Sequence, residues 1–466
     1  MFESIPTSYP LYFNSNVSRL AGSMSKSMLK INSDRTDATP STLTSIRLPI
    51  GSLLNLESLN IQFKVTTTGS EVTVPTRYSS SFIKRMAVTI NNTTVTVIND
   101  YALLYNIYAD HTNKDKTKGI GGEMLDNSIL YSEAAGTGTG DQAITAVSSL
   151  MAATANRTYD MNINNFIGLF GSASSSIIST SKMGEVVISL EWAPAAEVLG
   201  GVGKATSVAA GGYSGSSYTV SDINVLCEAL SFSDTAYYSA VENADDIKIA
   251  FDDFVVNKFA SCTKTAGINV SSYVSTGSLE HVMGTCLLAS APTQQLVAMG
   301  ANGTGATEGV VTNISKYLGD PVAYTAEEDA FFSVKALQRQ LQHVKTSQFS
   351  INNKQLNFGS LNRQEIFANN LHCLGYMNTD SSSNGFNPTI LSLEHYYKYY
   401  GAAFQSLSLL DREKYYISGL SSAGSSAAIN WVCDFTGAST MAVTPVLIFK
   451  LQKVLHIGAG RSIFVE

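Results

Sequence analysis

Charged residues are scarce in this chain, at 14% of 466 residues, where an average soluble protein has about 25%. Serine, threonine, asparagine and glycine are frequent instead. One explanation is that much of the surface is buried against other subunits, because the centres of protein interfaces are depleted of charge and enriched in aromatic residues. The other is that β-strands favour threonine, valine and tyrosine. The composition alone leaves both explanations open.

An excess of positive charge is also absent. The formal net charge is −7 and the pI is near 5.5, which argues against a protein whose main task is to coat phosphate backbones. Basic side chains slightly outnumber acidic ones within residues 1–35. This excess is too small to predict nucleic-acid binding, so we expect a flexible arm there and no specific nucleic-acid recognition.

Cysteine pairs and long apolar runs are missing as well. The five cysteines are odd in number and widely spaced, which predicts buried, reduced thiols and assembly in a reducing compartment. No apolar segment approaches the roughly 20 residues of a membrane-spanning helix. Residues 1–10 lack the basic start and apolar run of a signal peptide. We therefore expect the protein to be made and kept in a cytoplasm.

The sequence contains only incomplete versions of the motifs for phosphate binding and nucleophilic catalysis. Gly203-Lys204 resembles the end of a phosphate-binding loop, but Val198 and Ala205 stand where that motif needs glycine and a hydroxyl residue. The segment 212–216 ends in serine where a nucleophile elbow has glycine. Ser23–Lys26 matches a serine-lysine tetrad by spacing alone. None of these patterns predicts a catalytic site.

Metal-binding patterns are equally weak. The six histidines never stand four residues apart, and Glu394-His395 lacks the second histidine of a zinc site. The acidic groups Asp245-Asp246, Asp252-Asp253 and 327–329 lack the alternating ligand spacing of a calcium loop, so we expect solvated charges. We assign no catalytic, cofactor-binding or metal-binding residue, and we expect no enzyme and no cofactor.

What the chain does contain is a repeated segment. Val88–Asn92 and Phe349–Asn353 share an alternating apolar pattern that ends in Asn-Asn, at an offset of 261 residues between Ile90 and Ile351. Asparagine tolerates the positive φ of a tight turn, so the pattern predicts a β-hairpin in each half. The alternation continues at the same offset in Val95, Val97, Leu356 and Phe358. Chance similarity in a chain rich in valine, isoleucine, threonine and asparagine is the alternative.

A helix is predicted after each hairpin. With two residues inserted, the apolar stripe of the first helix matches that of the second. Asn362 and Glu365 have the spacing of a helix N-cap pair. The matched positions are Leu103, Leu104 and Tyr108 with Ile366, Phe367 and Leu371. A unit of strand, turn, strand and helix that occurs twice indicates two similar domains.

Patterns along the rest of the chain predict an all-β protein with short helices and long loops. We expect an N-terminal arm over residues 1–40, a first jelly roll over 41–233, a connector of helical composition over 234–246, and a second jelly roll over 247–466. Many short strands separated by long glycine- and serine-rich loops are typical of eight-stranded antiparallel sandwiches.

Two further regions carry specific expectations. Residues 113–158 and 171–181 are rich in glycine, serine and alanine and are predicted to be long excursions. Residues 390–410 are predicted to form a helix that holds an aromatic cluster, which could stack on bases or sugars or could pack between subunits. The members of the cluster are Tyr396, Tyr397, Tyr399, Tyr400 and Phe404.

The duplicated unit, within 82–110 and 349–374, resembles the double jelly-roll major capsid proteins, nearest to those of virophages and polinton-like viruses. The resemblance implies a structural major capsid protein of a DNA virus, whose homotrimers form pseudo-hexameric capsomers that tile an icosahedral shell. It also implies neighbouring capsomers, penton and minor capsid proteins as partners. The N-terminal arm would contact an internal membrane or the genome, and outward towers would come from 113–158, 197–217 and 290–325.

The implied location is the virion capsid, with synthesis and assembly in the host cytoplasm or a viral factory. The alternative function is a viral fibre or spike, or a carbohydrate-binding β-protein, with the tyrosine-rich stretch and the loops as its contact surface.

Overall fold

A computed structural model describes most of the two halves of the chain. The described residues are 24–68, 72–73, 78–111, 158–203, 217–232, 246–288, 296–298, 339, 341–356, 359–373, 393, 396–397, 401–408, 417–422, 427–436 and 442–466.

The strands and helices are short to medium in length. The strands are β1 (Met24–Asn32), β2 (Asp37–Ala38), β3 (Leu43–Leu48), β4 (Leu53–Thr68), β5 (Val72–Thr73), β6 (Ile83–Ile90), β7 (Thr93–Asn99), β8 (Thr158–Ile163), β9 (Ile177–Ser179), β10 (Val186–Trp192), β11 (Gly200–Gly203), β12 (Ser217–Phe232), β13 (Asp246–Lys258), β14 (Cys262–Thr263), β15 (Ile268–Val274), β16 (Leu279–Leu288), β17 (Leu296–Ala298), β18 (Val344–Ile351), β19 (Lys354–Gln355), β20 (Leu361–Asn362), β21 (Ala403–Ser406), β22 (Ala427–Phe435), β23 (Ala442–Gly458) and β24 (Ser462–Val465). The α-helices are α1 (Tyr101–His111), α2 (Leu169–Ser172), α3 (Thr180–Met183), α4 (Ala195–Val198) and α5 (Arg363–Cys373). Three 3₁₀ turns are Ser79–Phe82, Lys264–Ala266 and Ala459–Arg461.

Each half contains two antiparallel sheets with the same strand order. In the first half, sheet 1 has the order β1-β12-β4-β8 and sheet 2 has β3-β10-β6-β7. In the second half, sheet 3 has β13-β23-β16-β21 and sheet 4 has β15-β22-β18-β19. Reading both halves along the chain, each strand in these four orders has one counterpart in the other half, and α1 corresponds to α5. The short strands β2 and β9 are added to sheet 1, β14 and β24 to sheet 3, and β20 to sheet 4. The predicted pair of tandem eight-stranded sandwiches is confirmed.

Both predicted Asn-Asn hairpins are confirmed. Asn91 and Asn92 have φ of 46° and 64°, and Asn352 and Asn353 have 48° and 64°. Two consecutive positive φ angles define the turn type whose twist matches that of the flanking strands. The surroundings of the turns also correspond, because Asn91 N donates to Glu185 O and Asn352 N donates to Ala428 O, each at 2.8 Å.

The helix after each hairpin is also present, although the buried stripe differs from the prediction in the second copy. Asn362 Oδ1 accepts from the N–H of Glu365 at 3.1 Å, and Glu365 Oε2 accepts from the N–H of Asn362 at 2.8 Å, which is the predicted reciprocal cap. The fully buried positions of α5 are Ile366, Asn370 and Cys373. Leu371 is only half-buried, because Asn370 turns inward to bond the segment before β21.

Three segments differ from the sequence expectations. Residues 24–38 lie in β1 and β2, which pair with β12, so this part of the expected arm belongs to sheet 1. The sequence did not show this strand clearly, because β1 is an edge strand with one exposed face.

Residues 171–181 are not a long excursion, because β9 pairs with β4 and α3 follows β9 directly. Phe404 lies on β21 rather than on a helix. Most of the connector and of 113–158 falls outside the described residues.

The central strand of sheet 3, β16, is buried on both faces, unlike the strands of an ordinary sandwich sheet. Residues 279–287 of β16 are all buried, whereas β4 alternates between buried and more exposed positions. One face, with Val282 and Leu447, belongs to the core of the second sandwich. The other face, with Met283 and Ile448, joins the core cluster of the first half. The two sandwiches therefore share a continuous apolar contact.

The two sandwiches stand side by side with their loops at corresponding ends. β11 pairs with β5 of the first half and runs parallel to β17 of the second half, so loops from both halves form one small sheet. The strand registers put both Asn-Asn turns, β24 and the start of β1 at the opposite end, where the Asn91 side chain donates to Arg461 O at 2.9 Å.

Candidate assembly surfaces and the contact between the two halves

The contact between the halves joins a face of sheet 3 to an edge of the first sandwich. That edge consists of β7, α1 and the segment around α2, and β13 packs against it. Tyr108 of α1 and Phe254 of β13 meet edge to face, with ring centroids 5.3 Å apart. Glycine is required at Gly168, which has φ of 79° and where a Cβ would lie 2.6 Å from Ile98 Cδ1. The same Cβ would lie 3.9 Å from Asp252 O of the second half, so Gly168 also lies against β13.

Backbone groups of the two halves are joined directly. Ser174 N donates to Ala250 O at 2.8 Å, and the Ala250 N–H donates to Ser174 Oγ at 3.0 Å. Asp252 N donates to Ser172 Oγ at 2.7 Å. β13 is the edge strand of sheet 3, and these bonds satisfy N–H and C=O groups that an edge strand otherwise exposes. The serine-rich segment after α2 thus covers this edge.

Charged side chains are buried in the same contact. Lys450 Nζ lies 2.7 Å from Glu280 Oε2 and 3.1 Å from Asp252 Oδ2, and Glu280 is 1% exposed. Burial alone would lower the pKa of Lys450, but the charges of Asp252 and Glu280 outweigh it and raise that pKa. Asp253, 5% exposed, accepts from Lys453 Nζ and from Thr96 Oγ1, each at 2.6 Å.

This burial corrects the expectation that Asp252-Asp253 are solvated. The sequence shows two adjacent carboxylates at a strand end, which is ordinarily a surface pattern. Their lysine partners lie about 200 residues away on β23, so no local pattern could reveal them. Within the described residues no group of three histidine, cysteine or acidic side chains could hold a metal ion.

A second charged cluster lies at the rim of the contact. Asp100 Oδ1 accepts from Lys258 Nζ at 2.7 Å and lies 2.9 Å from Lys84 Nζ. Lys84 also binds Glu197 at 2.8 Å. Burial alone would raise the pKa of Asp100, but Lys258 and Lys84 outweigh it and hold that pKa below its ordinary value. Lys258 belongs to the second half and Asp100 to the first, so this cluster also ties the halves together.

The aromatic cluster does not form an exposed contact surface where it is described. Tyr396, Tyr397 and Phe404 are at most 1% exposed. Tyr396 OH donates to Ala402 O at 3.0 Å and accepts from Asn370 Nδ2 at 2.8 Å. Tyr396 and Tyr397 pack in the core of the second sandwich, whereas Phe404 lies beside Met283 on the face of sheet 3 that contacts the first half. Tyr399 and Tyr400 lie outside the described residues.

The five cysteines are free thiols. Four are buried and Cys262 is half-buried, in agreement with the sequence. Burial raises the pKa of Cys286 and of Cys433, so both stay protonated at neutral pH. Among the described helices, none is long and apolar enough to cross a membrane.

Comparison with known proteins gives matches in structure. No family model and no curated protein matches the sequence. PBCV-1 VP54, fitted into a cryo-EM reconstruction of the virophage Sputnik, is 11% identical with a TM-score of 0.57, over 97% of this chain and 98% of its own. The Sputnik virophage structure is 11% identical with a TM-score of 0.54, over 96% of this chain and 89% of its own. The Faustovirus major capsid protein is 10% identical with a TM-score of 0.53, over 95% and 92%.

The chain has a double jelly-roll fold. At this level of identity the likeness concerns the fold alone, and it extends over nearly the whole length of each protein compared. The sequence detected the repeat through the two turns, but not the face of sheet 3 that joins the halves.

Proposed function

We propose that this double jelly-roll chain is the structural major capsid protein of a DNA virus, and that its homotrimers form pseudo-hexameric capsomers of an icosahedral shell. The observation that supports this most is the pair of sandwiches with the same strand order, held side by side by an apolar contact with an ion pair at its rim. A rigid unit with two similar lobes supplies six lobes when three copies close into a ring.

Location and partners follow from this role. The protein would reside in the virion capsid and assemble, in the host cytoplasm or a viral factory, with neighbouring capsomers and with penton and minor capsid proteins. Residues 1–23 precede the end of β1 that lies beside the Asn-Asn turns, so an arm there would reach an internal membrane or the genome from that end. Function then lies in interfaces rather than in a pocket.

The alternative of a fibre, spike or carbohydrate-binding protein has less support. Its contact surface was expected on the tyrosine-rich stretch and the loops. The described members of that stretch, Tyr396, Tyr397 and Phe404, are buried, and most of the loops lie outside the described residues. Carbohydrate sites need exposed aromatic faces and polar groups that converge on the sugar.

The experiment that tests the proposal is sedimentation velocity of the purified full-length chain at micromolar concentration. We expect a species with three times the 49.8 kDa chain mass, or larger assemblies built from it. A stable monomer across the whole concentration range would contradict the proposal.

A further inference from the structure

Lys450, Asp252 and Glu280 bring one amine and two carboxyl groups together in the contact between the halves. Lys450 Nζ lies 3.1 Å from Asp252 Oδ2 and 2.7 Å from Glu280 Oε2. The side chains of Lys450, Asp252 and Glu280 are 15%, 22% and 2% exposed. Such a group can do more than form ion pairs, because an amine and a carboxylic acid can condense to an amide with release of water.

The three side chains come from three neighbouring strands of sheet 3. Lys450 of β23 pairs directly with Phe254 of β13, so it is a diagonal neighbour of Asp252 on the same face. Glu280 belongs to β16, on the other side of β23, where it is the extra residue of a β-bulge. A bulge re-aims a side chain, and here Glu280 reaches the same amine as Asp252.

The surroundings of this group are apolar. Phe254 contacts Tyr108 of the first half, and the Tyr108 hydroxyl is buried. Met283 and Ile448, which face the first half beside Lys450, are at most 1% exposed. Water therefore has little access to the amine, and exclusion of water protects an amide from hydrolysis once it has formed.

We propose that Lys450 and Asp252 form an intramolecular isopeptide bond, and that Glu280 carries the protons during its formation. The proposal goes beyond the capsid function proposed above and does not depend on it. Asp252 is the carboxyl that reacts, because it is the more exposed of the two and the released water can leave from it. Glu280 is enclosed and serves as the acid and base.

The reaction is a condensation whose atoms and charges balance. Glu280 takes one proton from the Lys450 ammonium and passes it to the Asp252 carboxylate. The free amine then attacks Cγ of Asp252, and the Nζ–Cγ bond forms. Glu280 takes a second proton from Nζ and gives it to the departing hydroxyl, which leaves as water as the C–O bond breaks. The Glu280 carboxylate is regenerated, and no oxidant or other reactant is needed.

The ion pairs make this reaction slow. Burial lowers the pKa of Lys450, but the charges of Asp252 and Glu280 outweigh that effect and raise it. Only a small fraction of the amine is therefore uncharged at any time. Proximity compensates in part, because groups held about 3 Å apart react as if at very high concentration. We expect freshly purified protein to be largely unlinked and the linked fraction to rise with time.

The bond would fix the strand that joins the halves. β13 contacts the first half through the N–H groups of Ala250 and Asp252, which donate to Ser174 Oγ and Ser172 Oγ. A covalent link from Asp252 to β23 would hold β13 in that position. It would also close a loop of chain that persists in denaturant and restricts the unfolded state.

Two other lysines provide matched comparisons within the same protein. Lys453 lies 2.6 Å from Asp253, on the same two strands, but the described residues give it no ion pair with a second carboxylate. Lys84 has two carboxylates, Asp100 at 2.9 Å and Glu197 at 2.8 Å, but its side chain is 28% exposed. We expect no amide at either lysine, because the first lacks a proton carrier and the second is open to water.

The test is mass spectrometry of the purified full-length chain, fresh and after prolonged incubation under native conditions. The mass of the denatured chain should fall by one water molecule in a fraction that grows with time. After protease digestion, a branched peptide should join the segments that contain Lys450 and Asp252. Glu280→Gln, which keeps the shape of the side chain, should slow bond formation by at least about a hundredfold, and Asp252→Ala should abolish it.

An unchanged mass after prolonged incubation would overturn the proposal, and so would a branched peptide that contains Glu280 in place of Asp252. Amides at Lys453 or Lys84 in similar amounts would also overturn it, because the site would then have no special reactivity. Circular dichroism verifies that the variants fold. If Glu280→Gln does not fold, the mass of the unchanged protein and the Asp252→Ala variant still decide the outcome. The capsid role is tested separately by sedimentation, so either proposal can fail without the other.

Discussion

At the scale of single residues, the stability of this fold depends on charges that are far apart in sequence. Asp100 and Lys258 are separated by 158 positions and meet at 2.7 Å. The sequence shows that charged residues are few, but it does not show which of them form buried ion pairs, because the two partners of such a pair share no local pattern. Its identity depends on which strands become neighbours, and that is decided by the topology of both halves.

Asp100 gives a pH dependence with a definite sign. Its pKa in the folded protein lies below the ordinary 3.8, so its stabilising contribution is present above that value and is lost as the pH falls through the lower, folded pKa. We expect Asp100→Asn to be less stable at pH 7 and to lose less stability between about pH 5 and 2 than the unchanged protein. Urea unfolding midpoints across this range measure both effects. Parallel pH profiles for the two proteins would refute the assignment.

At the scale of elements, the Asn-Asn hairpins were the part of the fold most readily predicted. Positive φ is a requirement that few residue types meet, so two adjacent asparagines within alternating apolar residues are informative. The strand β1 was missed for the opposite reason: it is an edge strand, and its exposed serines and lysines resemble those of an unstructured arm. The sequence did not predict that the outer face of sheet 3 is covered, because antiparallel strands that are buried on both sides are unusual.

The turn itself can be tested with one position and two substitutions. Asn353 has φ of 64°, which a β-branched residue adopts only with strain. Asn353→Val should lower stability by about 1–2 kcal/mol, whereas Asn353→Gly should be within about 0.5 kcal/mol of the unchanged protein. The melting temperatures of the two variants, compared with that of the unchanged protein, measure this difference. Equal losses for valine and glycine would show that the backbone conformation is not the cause.

At the scale of the whole molecule, the account depends on two sandwiches that behave as one body. The face of sheet 3 lies between its own partner sheet and the first sandwich, and Lys450 lies in the charged cluster on that face. Low overall charge then has a physical reason beyond strand composition, because a large share of the second half is covered by the first. The number of copies in the proposed assembly is not encoded in any local pattern, so the sequence predicts a trimer only through the resemblance.

Because Lys450 is buried where the two halves meet, we expect its replacement to lower the free energy of unfolding substantially. Lys450→Met leaves the buried carboxylate of Glu280 without its partner and should destabilise the protein by about 3–5 kcal/mol. The double variant Lys450→Met/Glu280→Gln should recover part of this loss, because no unpaired charge remains. Lys26→Met, at a half-exposed pair, is the control and should cost no more than about 1 kcal/mol. A Lys450 variant as stable as this control would contradict the buried contact.

The most direct test of the central claim is electron microscopy of the purified full-length chain. The account predicts three-fold particles with six similar lobes in a ring, in which contacts within a chain alternate with contacts between chains. Isolated two-lobed particles, or rings in which the lobes of one chain are separated from each other, would contradict it.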